Sequence, residues 1–368
     1  MSLLLVVGAR PNLVKAWALL RAFARVPAIA CRLVHTGQHR DHEMSGAFFA
    51  ELGIPAPDVA LGVRPDTPAR QIARIMLAFD RTLTAERPDL VVVVGDVSST
   101  LACALAAAKR GVPVAHVEAG LRSGDWTMPE EVNRVLTDRL SRYLLAPSGD
   151  AVANLRREAL PRERIHLVGN VMVDTLRAHR AAAARSTILS RLGLVRRRYA
   201  VVTLHRPANV DERRRLDGLL RIVAAVARRL PVVFPLHPRT RHRLRAFGAE
   251  AAVRDLPGVV TTPPLGYLDF LSLMTGARLV LTDSGGVQEE TTALGVPCLT
   301  LRDTTERPVT VTRGTNRVVG TQPERVLAAV ERILAGRTRR GGLPPYWDGR
   351  AAERIARILA RVPRARGR

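Results

Sequence analysis

Three carboxylates, Asp96, Glu118 and Glu130, lie in polar segments after apolar runs of this 368-residue chain; Asp96 closes LVVVVG and Glu118 closes VPVAHV. Carboxylates delivered from such loops could take a proton from a bound molecule and return it. A second set of residues could hold an anion. Residues 279–308 read LVLTDSGGVQEETTALGVPCLTLRDTTERP. Leu279 to Leu281 is expected to be a buried strand, and Ser284, Gly285 and Gly286 a turn into a helix that opens with Gln288, Glu289 and Glu290. Pro297 to Leu301 is expected to be a second strand, running into Arg302 to Arg307. A strand–glycine–helix turn leaves backbone N–H groups for an anion. Acids in a first helical turn also suit the positive end of the macrodipole. Arg10, Lys15 and Arg307 could join the Ser284–Gly286 amides around a diphosphate, with Glu290 beside them.

Each of these residues also has a plain structural reading. Asp96 heads V-S-S-T and suits a helix cap, Glu118 suits a buried salt bridge to Arg122, and Glu130 follows Pro129 as a solvated first-turn acid. His205 and His237 suit satisfied polar residues at strand ends, and residues 279–308 suit an ordinary strand–helix–strand unit.

The elements that must position these residues are strands alternating with helical stretches along the whole chain, which predicts a parallel α/β fold. LLLVV runs into Gly8-Ala9-Arg10, CRLVH into Thr36-Gly37-Gln38, YAVVTL into His205-Arg206, and PVVFPL into His237-Pro238-Arg239. Ligands of open α/β sheets bind beyond the carboxyl ends of parallel strands, and this chain concentrates its His, Asp, Glu and Arg residues there. Residues 175–198 are Ala/Arg-rich and lack a strand, so the domain junction is expected near Asp174. The expected domains are 1–174, with a C-terminal helix in 350–368 packing back on it, and 175–349.

The formal net charge is +24, yet all but two of the 57 basic residues are arginine, spread along helices with few aromatics between them. That pattern fits a solvated basic surface better than a nucleic-acid groove. Cys31, Cys103 and Cys298 show no pair spacing and read as reduced core residues of a cytoplasmic protein. Residues 3–7 read as a first strand rather than a signal core, and no apolar run approaches the ~18 residues of a membrane helix. The chain has no GxGxxG after its first strand and no GxxxxGK[ST], HExxH, CxxC or GxSxG; His39 and His42 come closest to metal spacing.

With these residues in view, the chain resembles the non-hydrolysing UDP-N-acetylglucosamine 2-epimerases. The likeness covers nearly the whole chain. It rests on GARPNLVKA (8–16), VHTGQH (34–39), GD (95–96), HVEAGLRSGDWTMPEEVNRVLTD (116–138) and VGNVMVD (168–174). TLHRPANVD (203–211), PLHPRTR (235–241), TDSGGVQEE (282–290) and RDTTERP (302–308) complete it. The resemblance implies two Rossmann-like domains in a GT-B-like arrangement with the ligand in the interdomain cleft. It also implies a UDP-sugar substrate, a homodimer, and no metal or nicotinamide cofactor. By resemblance, Asp96, Glu118, Glu130 and His205 match the catalytic positions. Arg10, Lys15, His205, Ser284, Gly285, Gly286, Glu290 and Arg307 would bind UDP, and Phe270 would contact the uracil. Gln38, Arg206 and His237 match positions that line a second, allosteric substrate site in some members.

The chain departs from the family's pattern in three places. Many members read HRRE where this chain has His205-Arg206-Pro207-Ala208, ERPE where it has Val309 after Pro308, and NPYGDG where it has PPYWDG. Some features also resemble relatives acting on 2,3-diacetamido uronic acid sugars, while the intact ERP favours the plain N-acetylhexosamine. A hydrolysing epimerase, a GT-B glycosyltransferase and a non-catalytic nucleotide-sugar sensor are the other readings.

Overall fold

The computed structural model describes residues 1–37, 51–64, 66–338 and 341–362. The chain divides into two units, Met1–Arg177 with Pro345–Arg368, and Ala178–Pro344. The helix Val171–Ala184 carries the chain from the first unit into the second, crossing both the junction expected near Asp174 and the division after Arg177. The return to the first unit comes at Pro345, before the expected 350, because Trp347 is buried and its indole N–H donates to the Pro147 carbonyl at 3.0 Å. Gly169, at φ +92°, has the Tyr346 carbonyl packed where a Cβ would stand, so the PPYWDG segment is seated there by backbone contact. The helix Ala351–Leu359 packs on the helix Arg10–Phe23, and its first amides, of Ala351 and Ala352, donate to Asp174 at 3.2 and 2.8 Å.

The first unit holds a seven-stranded parallel sheet: β1 (Ser2–Val7), β2 (Ala30–His35), β3 (Val59–Ala60), β4 (Leu90–Val94), β5 (Val114–Val117), β6 (Tyr143–Ala146) and β7 (Ile165–Leu167). Their spatial order is β3-β2-β1-β4-β5-β6-β7. The second unit holds β8 (Ala200–Thr203), β9 (Val232–Pro235), β10 (Val259–Thr262), β11 (Leu279–Thr282), β12 (Cys298–Thr300) and β13 (Asn316–Val318), ordered β10-β9-β8-β11-β12-β13 and also parallel.

The central strands are nearly continuous apolar runs because helices cover both faces of each sheet. All five residues of β4 and all four of β11 are buried. Leu4, Val6, Val91 and Val93 meet Phe79 and Leu83 in one core, and Val202, Phe234, Leu281 and Leu299 meet Leu219, Val223 and Val330 in the other. Strand order reverses between β1 and β4 in the first unit and between β8 and β11 in the second. Such switch points open a crevice where neighbouring loops diverge. Among the described residues no helix is long and apolar enough to cross a membrane.

Candidate functional site

The first unit gathers acids around two cations at the ends of β1, β4 and β5. Asn12, in the first turn after β1, accepts the Ala9 N–H at 3.0 Å and donates to the Val94 carbonyl at 2.9 Å, tying the β1 and β4 loops together. Lys15, on the same helix, is 5 % exposed and donates from Nζ to Oε2 of Glu118 at 2.5 Å. Gly95, at φ +70°, runs directly under this pair: its missing Cβ would lie 3.5 Å from both Lys15 Nζ and Glu118 Oε2. Glu118 has a left-handed backbone, φ +73°, which is rare for a residue with a side chain and costs on the order of 1–3 kcal/mol. Its Oε1 is buried without a hydrogen-bond partner among the described residues. Lys15, assigned from the sequence to a diphosphate, therefore stands in this structure against a carboxylate of its own unit.

Arg134 is the second cation, 1 % exposed, with Nη2 at 2.6 Å from Oδ2 of Asp96 and Nη1 on Glu131. Asn133 donates to the Asp96 carbonyl at 2.8 Å. Glu131 also accepts the N–H groups of Ser123 and Gly124 at 3.0 and 2.9 Å. Burial alone would raise its pKa, but these N–H donors and the Arg134 guanidinium hold it below the usual carboxylate range. Glu130 is half-buried beside it, in the first turn of the helix Pro129–Leu140. Behind these acids, buried His116 donates from Nε2 to the Gly95 carbonyl at 2.8 Å and meets Asp138 through Nδ1 at 2.7 Å.

Two structural alternatives for these acids do not hold. Asp96 is not a helix cap: Val97 occupies that position before the helix Ser98–Lys109, and Asp96 is drawn to Arg134. Glu118 does not pair with Arg122, whose guanidinium goes to Asp138 and Glu158.

The second unit reverses the arrangement, with cations gathered around acids. Glu306 has no exposed surface and meets Arg307 at 2.5 Å, Arg302 at 2.8 Å and Arg206 at 3.3 Å. Arg307 also lies 2.8 Å from Glu289. The helix expected to open at Gln288 begins three residues earlier and spans Gly285–Leu294, with Ser284 as its N-cap. Glu289 and Glu290 are thus past the first turn and gain nothing from the macrodipole there, which corrects that part of the sequence reading. Gly285 is required at the helix start because Nη1 of Arg307 and Oε1 of Glu306 occupy the space a Cβ would fill. The three-arginine cluster therefore lies over the helix N-terminus.

Beyond β8, Asp283 organises the loop carrying His205. It accepts the N–H of His205 at 3.1 Å, that of Arg206 at 3.0 Å and Nδ2 of Asn209 at 3.1 Å, and faces Nδ1 of the His205 ring at 3.0 Å. Total burial would raise the Asp283 pKa, but the His205 ring, the Arg206 N–H and the Asn209 amide hold it low. The rings of His205 and His237 are 5.2 Å apart. Phe270 is half-buried in the helix Tyr267–Gly276. Burial, and then the nearby Glu290 charge, push the Tyr267 phenol well above its usual range.

The structure thus brings Asp96, Glu118 and Lys15 together in the first unit, and His205, Arg206, His237, Gly285 and Arg307 in the second, while Glu130 follows Pro129 at its helix start and Glu290 lies near Tyr267. Arg10 opens the helix Arg10–Phe23. Gln38, with His39 and His42, lies outside the described residues. Glu131, Arg134, Asp283 and Glu306 were not singled out from the sequence. Glu131, Arg134 and Asp138 recur at helical spacing and mark one polar face, which sequence alone reads as solvated. Asp283 directly follows a buried strand, where a carboxylate must find partners; that requirement was the available signal.

The profile of the UDP-N-acetylglucosamine 2-epimerase family matches residues 21–360. A Methanocaldococcus jannaschii protein named UDP-N-acetylglucosamine 2-epimerase is 41 % identical over 366 residues, covering 98 % of this chain and 99 % of that protein. A Pseudomonas aeruginosa protein named UDP-2,3-diacetamido-2,3-dideoxy-D-glucuronate 2-epimerase is 39 % identical over 366 residues, covering 98 % and 100 %. The crystal structure of the M. jannaschii UDP-GlcNAc 2-epimerase in complex with UDP-GlcNAc and UDP is similar to this chain with a TM-score of 0.92 at 40 % identity, covering 98 % of this chain and 99 % of that one.

Proposed function

The chain belongs to the UDP-N-acetylglucosamine 2-epimerase family, and from that premise we propose that it interconverts UDP-N-acetylglucosamine and UDP-N-acetylmannosamine. The observation that carries the reading is Glu118: strained, buried, held by Lys15 on one oxygen and, among the described residues, without a hydrogen-bond partner on the other. Strain of this kind persists where the surroundings hold it and clusters at active sites.

The proton on carbon-2 is not α to a carbonyl, so its removal needs another electron sink. Elimination of UDP supplies one. A base takes the carbon-2 proton, the bond from carbon-1 to the diphosphate oxygen breaks, and UDP leaves with the electron pair to give a 2-acetamidoglucal. A proton then returns to carbon-2 from the opposite face as the diphosphate adds back to carbon-1. Two proton carriers on opposite faces are needed, and Asp96, Glu118 and Glu130 supply three candidates. Arg307, the Ser284–Gly286 amides and His205 would hold the diphosphate as its charge develops, with Arg10 and Glu290 completing the UDP contacts and Phe270 facing the uracil. Lys15, placed against Glu118, would serve the acid rather than the diphosphate. Gln38, Arg206 and His237 remain the candidates for an allosteric substrate site.

A proton NMR time course on UDP-N-acetylglucosamine tests the proposal, with UDP-N-acetylmannosamine as the expected product. Release of free N-acetylmannosamine would make the protein a hydrolysing epimerase. The P. aeruginosa relative motivates a second reading: turnover of a UDP-2,3-diacetamido uronate with none of the plain sugar would keep the chemistry and change the substrate. We also infer a homodimer, from the family resemblance, and a cytoplasmic location, from the free thiols Cys31, Cys103 and Cys298.

A further inference from the structure

A carboxylate with no exposed surface needs partners for both oxygens. Asp283 finds four on the segment from His205 to Asn209. Three of them, the two backbone N–H groups and the Asn209 amide, are enough to fix the loop. The fourth, the His205 ring, fixes something else. An ionised carboxylate only accepts, so the hydrogen between them sits on Nδ1 of His205. Nε2 is then the ring nitrogen that can exchange a proton with a ligand.

His237 shows the opposite arrangement 5.2 Å away: its Nδ1 accepts the Arg239 N–H at 3.2 Å, so that nitrogen keeps its lone pair. Two neighbouring imidazoles thus have their Nδ1 atoms set by opposite partners, and His205 has the Asp283 carboxylate behind its ring. Such a charge both orients an imidazole and complements the positive charge that appears when it takes a proton.

We propose that Asp283 is the positioning residue for His205, holding its Nδ1–H so that Nε2 serves the diphosphate leaving group; the inference rests on the reaction proposed above. The step balances with His205 entering as the imidazolium, its Nδ1–H on Asp283 and a proton taken from solvent on Nε2; Nε2 gives that proton to the diphosphate oxygen as its bond to carbon-1 breaks and recovers it when the diphosphate adds back.

Nitrogen-15 NMR of histidine-labelled, unliganded full-length protein at pH 8 tests the first half without any activity. The expected state of His205 is the Nδ1–H tautomer, and the Nε2–H tautomer would overturn the proposal. Kinetics test the second half. Asp283→Asn is expected to lower kcat by about 10²–10⁴-fold with little change in KM, and to move the pH limb of kcat that His205→Gln abolishes. In a His205→Gln background the same substitution should lower kcat by less than about threefold, because nothing remains to be positioned. An equal loss in both backgrounds would mean that Asp283 only shapes the loop, and would overturn the proposal. Where Asp283→Asn does not fold, the wild-type tautomer decides. If the wild-type protein epimerises no UDP-sugar, the reaction reading falls, while the NMR result still reports on the Asp283–His205 pair.

Discussion

The two units carry similar parallel sheets and opposite charge logic at the strand ends. In the first, Arg134 sits between two acids, Asp96 and Glu131, while Lys15 holds a third, Glu118. In the second, Glu306 sits among three arginines, Arg206, Arg302 and Arg307. In each case the central residue is almost wholly buried and its partners are at least as accessible. Under the proposed function the contrast sets acids suited to moving protons in one unit against guanidinium groups suited to an anion in the other, each group held by a buried centre.

The largest expected effect tests the acids. Asp96→Asn and Glu118→Gln should each lower kcat by about 10²–10⁴-fold, the usual scale for losing a general acid or base, with circular dichroism unchanged. Losses below about tenfold in both would make these acids structural and erase the contrast. Next comes the buried centre. Arg134→Met removes the cation facing Glu131, which is 2 % exposed and keeps its Ser123 and Gly124 donors, and should cost about 3 kcal/mol in denaturant melts. Glu306→Gln removes the charge that three arginines face and sets an amide donor against a guanidinium donor, and should cost a comparable amount, about 3 kcal/mol. A cost below about 1 kcal/mol in either variant would show that its centre is not a keystone.

A smaller effect tests the anion side. Gly285→Ala puts a methyl into space held by Arg307 and Glu306. It should cost about 1–3 kcal/mol of stability and weaken UDP binding by roughly tenfold or more in calorimetry. Unchanged UDP affinity would separate the arginine cluster from nucleotide binding.

The fold was legible because its signals are local. Apolar runs ending in polar loops marked the strands, and the helical stretch from 175 marked a junction that the structure puts at Arg177. The site was legible only in part. Asp96, Glu118 and His205 stand at strand ends, where a polar residue is conspicuous. Their partners were not legible. Lys15 reaches Glu118 across 103 positions and Arg134 reaches Asp96 across 38, and no spacing rule in one sequence encodes such pairings. The start of the helix Gly285–Leu294 was misplaced because glycines read as a turn, whereas here they open a helix under Arg307. Trp347 in PPYWDG departs from the family's glycine, and its indole is accommodated by burial against Pro147.

The smallest effect concerns a buried acid that belongs to neither cluster. Burial pushes Asp174 up to about 6 despite the N–H groups of Ala352 and Ala351, whereas Glu131 and Asp283 are held low. The signs are opposite. A raised folded-state pKa contributes stability below about pH 4 that is lost as pH rises through about 6, while the lowered values contribute stability that is lost only as pH falls through the acid range. The stability of Asp174→Asn relative to wild type should therefore tilt in the variant's favour between about pH 4 and pH 7. An absent or opposite tilt, read from paired melts, would place Asp174 with the other two.

The central claim is that the carboxylates of the first unit move the carbon-2 proton of a nucleotide sugar. Its most direct test is isotope content. Wild-type protein incubated with UDP-N-acetylglucosamine in heavy water should give UDP-N-acetylmannosamine carrying deuterium at carbon-2, with small amounts of UDP and the glucal. Epimerised product that keeps its original hydrogen at carbon-2 would contradict the account.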